Sequence, residues 1–195
     1  APAALHAYRA GHLSRHIRTT RGEPGTLAKH TYLIALGSNM RHPRHGAPRK
    51  VLAAALDSLD NGKYEVLAAS PVIDSAPLGP SRRRYANGVA LIRTKREPDE
   101  VLHKLQKVEH KFGRRRRGAA WGSRVLDLDI VLWNGGPWAA GEGDESLVIP
   151  HPAFRSRDFV LGPARRIAGT WRDPLTGLKI NQLHARLTKA FPTPR

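Results

Sequence analysis

Two aspartates stand two residues apart in the stretch Arg124-Val125-Leu126-Asp127-Leu128-Asp129-Ile130-Val131-Leu132. On a strand, Asp127 and Asp129 share one face and Leu126, Leu128 and Ile130 take the other, with the two acid Cα atoms roughly 6–7 Å apart. Carboxylates this close repel, and both stay ionised only beside compensating positive charge. Paired oxygen ligands suit Mg2+, which keeps several waters and completes its shell with substrate phosphates. The plainer alternative is an exposed strand face with two solvated acids, or acids paired to arginines. Context favours chemistry, because an otherwise apolar strand seldom places two acids in mid-run without a task.

A second cluster, Arg114-Arg115-Arg116-Arg117, lies a few residues upstream. In an extended segment Arg114 and Arg116 project together, away from Arg115 and Arg117. Guanidinium forks match phosphate oxygens two at a time. Alone, such a run reads more simply as a basic loop that binds nothing, or nucleic acid without sequence preference. Joined to the acids, with Trp121-Gly122-Ser123-Arg124 between, it supplies the parts of phosphoryl-type transfer, where catalysis is mainly positioning and charge stabilisation. The chain has no GxxxxGK[ST] loop and neither an HRD nor a DFG triplet, which excludes P-loop and protein-kinase chemistry.

The elements that would position these groups follow from periodicity. Tyr32-Leu33-Ile34-Ala35-Leu36, stopped by Gly37-Ser38-Asn39, reads as a buried strand and turn. Val51, Leu52, Ala55, Leu56 and Leu59 recur at helical spacing, ended by Asp60-Asn61-Gly62. Tyr64–Ser70 and Gly88–Thr94 read as strands, with a Pro- and Gly-bearing loop from Asp74 to Asn87 between them. Pro98 and Gly113 bracket a second helix whose inward stripe is Val101, Leu102, Leu105, Val108 and Phe112. Arg124–Leu132 is then a strand, followed by a Gly-rich loop from Asn134 to Asp144. The residues from Phe154 onward are mixed and resist placement. The predicted class is α+β: a ferredoxin-like βαββαβ core with a mainly antiparallel sheet and helices packed on one face.

Composition bounds the rest. A chain of 195 residues with 40% hydrophobic and 25% charged residues suits one globular domain. It contains no cysteine, which excludes disulfides and fits a reducing compartment, so the expected location is cytoplasmic. No apolar stretch approaches the roughly 20 residues of a membrane span, and no membrane association is expected. The net charge is +17, of which residues 1–30 contribute +4 through five Lys/Arg and one acid. Those thirty residues read as a flexible basic extension, although mitochondrial transit peptides share that composition. The domain is expected to span residues 31–195. A field of this sign attracts nucleic acid, phospholipid headgroups or nucleotide phosphates alike.

With these motifs in hand, Arg114-x-Arg116 followed by Trp121-Gly122-Ser123-Arg124-Val125-Leu126-Asp127-Leu128-Asp129-Ile130 resembles the signature of the 6-hydroxymethyl-7,8-dihydropterin pyrophosphokinase family. Further landmarks fall in order: Leu36-Gly37-Ser38-Asn39, Ser75-Ala76-Pro77-Leu78-Gly79-Pro80, Tyr85-Ala86-Asn87, Ile149-Pro150-His151-Pro152 and Arg157-Asp158-Phe159-Val160-Leu161. The resemblance implies transfer of pyrophosphate from ATP to the hydroxymethyl group of a dihydropterin in folate biosynthesis, releasing AMP, with two Mg2+ ions bridging the ATP phosphates. It also implies roles. Asp127 and Asp129 become the metal ligands, and Arg114, Arg116 and Arg124 the phosphate and transition-state contacts. Gln106, Glu109, Arg116, Trp121, Arg124, Ile130, His151 and Arg157 fall at the ATP, and Trp121 and Phe159 sandwich the pterin. Asn87 reads the pterin's amide edge, while Ser75, Pro77, Leu78 and Tyr85 shape the remaining pocket.

The chain departs from the family pattern at Ala120, where a basic residue is frequent, at Ser123, where proline is usual, and in the basic run Arg82-Arg83-Arg84. These departures bear on affinity and rate more than on reaction class. They also motivate one rival, a paralogue that is inactive or has shifted substrate. The other rival is a nucleic-acid-binding module on the same fold. No RNP1-like pattern of glycine and aromatics supports it, and Asp127 and Asp129 would repel RNA. The expected partners are therefore ATP and a small dihydropterin, with the protein acting as a monomer.

Overall fold

Residues 29–76, 83–113, 124–141 and 147–189 are described by the structure, a computed structural model. The apolar run after Thr31 forms β1 (His30–Ser38). Helix α1 (Pro48–Leu59) opens on a proline and turns Val51, Leu52, Ala55 and Leu59 inward. Three strands follow: β2 (Tyr64–Ala69), β3 (Ile73–Ser75) and β4 (Tyr85–Thr94). Helix α2 (Pro98–Lys111) starts in a capping box between Glu97 and Glu100, which satisfies main-chain donors that a helix start leaves open. Gly113, at φ +84°, lets the chain leave that helix through the left-handed region. Beyond it come β5 (Asp127–Trp133), the hairpin of β6 (Trp138–Ala140) and β7 (Leu147–Ile149), then α3 (Asp158–Ala168) and α4 (Ile180–Thr188).

The main sheet runs β2-β4-β1-β5 with antiparallel neighbours throughout, and β3 pairs with the leading end of β4. That is the strand order of a ferredoxin-like βαββαβ core, as the element pattern predicts. Three features differ from the sequence reading. The stretch expected to be a loop from Asp74 to Asn87 contains part of β3 and the first residues of β4, and the Gly-rich loop contains β6. Each is a stretch of at most three residues among turn-forming residues, too short to show a period. The third difference is larger: helices cover both faces of the sheet rather than one.

Two cores result. Tyr32, Ile34, Leu36, Ile92, Leu128 and Ile130 meet Val51, Leu52, Val101 and Leu105 of α1 and α2. On the opposite face Leu33, Val89, Val131 and Leu132 meet Val160, Leu161, Ala164, Ile180 and Leu183 of α3 and α4. Simple alternation along β5 would return Leu132 to the first core. The register instead shifts at Leu33/Ile34, where Leu33 pairs with Leu132 and Ile34 with Ile130, so that Val131 is an extra residue. This bulge sends Val131 and Leu132 to the same face and turns Trp133 back onto Tyr32, their ring centroids 5.6 Å apart.

The α3/α4 layer is anchored by an ion pair whose acid is buried and whose arginine reaches the surface. Asp173 is 0% exposed and accepts bonds from Arg155 Nε and Nη2 at 2.7 Å each, from the Thr176 hydroxyl at 2.6 Å and from the Leu175 N–H at 3.1 Å. Among the described residues, no helix is long and apolar enough to cross a membrane.

Candidate active site

Sheet register brings together residues far apart in sequence. Gly37 of β1 pairs with Asn87 of β4 on one side and with Asp127 of β5 on the other. One row along, Ala35 stands between Val89 and Asp129. Directly paired residues share a face, so Asn87, Asp127 and Asp129 lie on the α3/α4 side of the sheet. Leu126, Leu128 and Ile130 are buried in the core on the other side. Only a glycine and an alanine separate Asn87 from the acids. A Cβ at Gly37 would meet Asn87 Oδ1 at 3.3 Å and Asp127 Cβ at 4.0 Å, which shows how closely the three converge.

Asn87 is buried, and its Nδ2 donates to Ser75 Oγ at 2.7 Å, which fixes the amide's orientation. Tyr85 is half-buried two residues earlier on the same strand. Burial pushes its hydroxyl above the ordinary range; the Asp127 charge adds to this and Arg124 opposes it.

The acids carry cations. Arg124 Nη1 donates to both oxygens of Asp127, at 2.8 and 2.9 Å. Burial works against that guanidinium's charge, yet Asp127 and Asp129 more than offset it and hold its pKa up. Arg157 Nη1 lies 3.9 Å from Asp129 Oδ2, and the same guanidinium sits 5.8 Å from the centre of the Phe159 ring. His151 completes this side. Its main-chain N–H donates to the Val131 carbonyl at 3.0 Å, and its ring Nδ1 accepts the Ala153 N–H at 3.1 Å, leaving the proton of the neutral ring on Nε2. Burial lowers the His151 pKa, Asp129 opposes that and Arg157 reinforces it.

Two residues assigned to the nucleotide are deep inside. Ile130 is 2% exposed, on the strand face opposite the acids, so the fold does not bring its side chain to them. Glu109 is 4% exposed, and its Oε1 accepts the Leu128 N–H at 2.7 Å. It therefore secures the main chain between the two aspartates. Glu109→Ala should cost about 1–3 kcal/mol in denaturant unfolding by orphaning a buried N–H, and Glu109→Gln, which keeps the acceptor, markedly less. Gln106 is half-buried one helical turn earlier. Pro77, Leu78, Arg114, Arg116 and Trp121 lie outside the described residues, as do Arg115, Arg117, Ala120 and Ser123.

Sequence reasoning overlooked two contributors. Gly37 is needed for its missing side chain, and Asn39 for bonds that only tertiary structure discloses. A glycine and a polar residue closing an apolar strand were the available signal, and they read as an ordinary turn.

Among the described residues, no three His, Asp or Glu side chains gather as a metal cage. The donor chemistry nevertheless fits a hard cation. Two carboxylates on one strand face, now neutralised by guanidinium groups, are what Mg2+ takes from a protein when phosphates and water supply the remaining oxygens.

A small α+β domain with an acid pair on its main sheet, flanked by guanidinium groups, has the parts that phosphoryl-type transfer calls for. The chain belongs to the 7,8-dihydro-6-hydroxymethylpterin-pyrophosphokinase (HPPK) family, whose pattern matches residues 33–169. It is 39% identical over 124 residues to the 2-amino-4-hydroxy-6-hydroxymethyldihydropteridine pyrophosphokinase of Synechocystis sp., covering 61% of this chain and 58% of that protein. With the enzyme of the same name from Pseudomonas aeruginosa it shares 36% identity over 148 residues, 72% of this chain and 82% of that one. The fold superimposes on wild-type Plasmodium falciparum HPPK-DHPS with pteroate at a TM-score of 0.63 and 10% identity. That alignment covers 82% of this chain and 42% of the Plasmodium chain.

Proposed function

We propose that this protein transfers the terminal diphosphate of ATP to the hydroxymethyl oxygen of 6-hydroxymethyl-7,8-dihydropterin in folate biosynthesis. The observation that carries the proposal is the row Asn87-Gly37-Asp127 with Asp129 beside it: an oriented amide faces an acid pair across a gap kept open by glycine. In this reading Asn87 reads the pterin's amide edge with donor and acceptor together. Ser75 holds that amide, Tyr85 and Phe159 supply aromatic surface, and Pro77, Leu78 and Trp121 complete the pocket. Asp127 and Asp129 hold Mg2+ against the ATP phosphates, two ions being expected, and the metal supplies charge neutralisation there.

Arg124 and Arg157, with Arg114 and Arg116, bind phosphate oxygens and hold the β-phosphorus and the α,β-bridging oxygen in line with the hydroxyl. The hydroxymethyl oxygen bonds to the β-phosphorus as the bond from that phosphorus to the α,β-bridging oxygen breaks. The bridging oxygen leaves with AMP, and the hydroxyl proton passes to solvent. Gln106 and His151 border the nucleotide, and Glu109 and Ile130 support that border from the interior. The catalytic domain in this reading starts near Thr31, residues 1–30 are a basic extension, and the enzyme works as a monomer in the cytoplasm.

Incubation with ATP, Mg2+ and the hydroxymethyl dihydropterin should yield AMP and the pterin diphosphate in equal amounts. Formation of ADP, or no pterin product, would overturn the assignment. Gly37→Ala should raise the KM for the pterin about tenfold while melting stays near wild type, because the new methyl presses the Asn87 amide off its bearing. An unchanged KM would show that the amide does not read the substrate.

A further inference from the structure

Arg124 is held in an unusual way. The β1–β5 ladder ends with the pair Gly37 and Asp127. Beyond it the Asn39 N–H donates to the Arg124 carbonyl at 3.1 Å, and the Arg124 N–H donates to Asn39 Oδ1 at 2.7 Å. The asparagine side chain thus replaces the main-chain acceptor that a longer ladder would offer, closing a ring between residues 85 apart in sequence. Asn39 is 3% exposed, so water competes little for these bonds. From the pinned main chain, the Arg124 side chain folds back over three residues to set Nη1 on both Asp127 oxygens.

We infer that Asn39 is a positioning residue that acts through Arg124. By fixing the arginine main chain, it gives the guanidinium two places: on Asp127, as in this structure, and on a nucleotide phosphate when a divalent cation takes that carboxylate. The inference rests on the pyrophosphokinase reading for its second place, but not for its first. Without the amide, Arg124 loses its bearing toward both. Its grip on Asp127 loosens, and its reach to phosphate is misdirected. A displacement of about 1 Å in such a group costs on the order of a hundredfold in rate.

Four proteins test this: wild type, Asn39→Ala, Arg124→Ala and the double variant. Electron paramagnetic resonance of Mn2+ first measures cation binding without nucleotide. Arg124→Ala should tighten it about tenfold by removing a competing charge. Asn39→Ala changes no charge, yet should tighten it about threefold, and the double variant should match Arg124→Ala. With ATP and the pterin, Asn39→Ala should lower kcat about thirtyfold and leave the pterin KM within twofold. The double variant should fall no further than Arg124→Ala, because two residues acting as one unit are not additive. Should Asn39→Ala fold poorly, Asn39→Asp keeps an acceptor for the Arg124 N–H and should return kcat to within about threefold of wild type. Wild-type Mn2+ affinity in a folded Asn39→Ala, additive losses in the double variant, or no recovery in Asn39→Asp would each overturn the inference. If wild type releases no AMP, the pyrophosphokinase reading fails, while the Mn2+ series still decides the role of Asn39.

Discussion

Asp127→Ala and Asp129→Ala should each lower AMP release by about a hundred- to a thousandfold while the protein melts within a few degrees of wild type. The magnitude follows from losing one preorganised electrostatic partner of a transferring phosphoryl group, which costs about 2.7–4 kcal/mol in a water-excluded site. The small structural effect follows from exposure. The side chains of Asp127 and Asp129 are 25% and 41% exposed, and their arginine partners 35% and 23%. Ion pairs so close to water contribute at most about 1 kcal/mol to stability. Asp127→Asn and Asp129→Asn separate charge from shape. Each amide nearly matches the volume of the acid but holds a divalent cation poorly, so the asparagine variants should be about as slow as the alanine ones. Turnover near wild type in both alanine variants, assayed with saturating ATP and Mg2+, would remove the acid pair from the mechanism.

The second large effect lies far from those acids. Arg155→Ala should destabilise the protein by about 3–5 kcal/mol, because it strips the cation from a fully buried carboxylate. Its pH dependence carries a distinctive sign. Burial alone pushes the Asp173 carboxyl upward, but bonds from Arg155, Thr176 and the Leu175 N–H outweigh it and hold the group below its ordinary value of 3.8. The native protein therefore binds fewer protons than the unfolded chain. The stabilisation is complete above the unfolded value near 3.8 and fades as pH falls through the native one. In Arg155→Ala the upward push of burial has lost its main opponent. The Thr176 and Leu175 bonds remain, but the carboxyl should sit higher than in wild type, so the variant should gain less stability than wild type as pH rises from below 3.8 toward 7. Chemical denaturation of both proteins across that range checks the sign. Parallel profiles would mean that Asp173 is not held by Arg155.

How much of this was legible beforehand depends on whether a signal was local. Asp127 and Asp129 announce a shared face because strand periodicity needs only one segment, and Pro98 and Gly113 delimit α2 by their own backbone preferences. The antiparallel core order followed from the alternation of strands and helices. What stayed hidden depends on a partner. The extra residue Val131 is meaningful only against the register of β1. The α3/α4 layer was obscured because α3 carries Pro163 and the polar pair Arg165-Arg166, which blur its apolar stripe. Asp173 did leave one clue, since it is the sole acid after Asp158 in a strongly basic stretch. A lone acid among cations is a candidate for burial in an ion pair. Ile130 shows the same locality: alternation along its own strand predicts that its side chain faces away from the acids, and it lies in the core.

The pairing of Gly37 with both Asn87 and Asp127 also has a kinetic meaning. The amide can stand opposite the acids only in a fragment that reaches from β1 to β5, because the glycine's two neighbours join it through separate loop closures of different span. Contacts of such long sequence separation are slow to form, so hydrogen exchange during refolding should show protection in α1 and α2 before protection at the β1–β5 pairing.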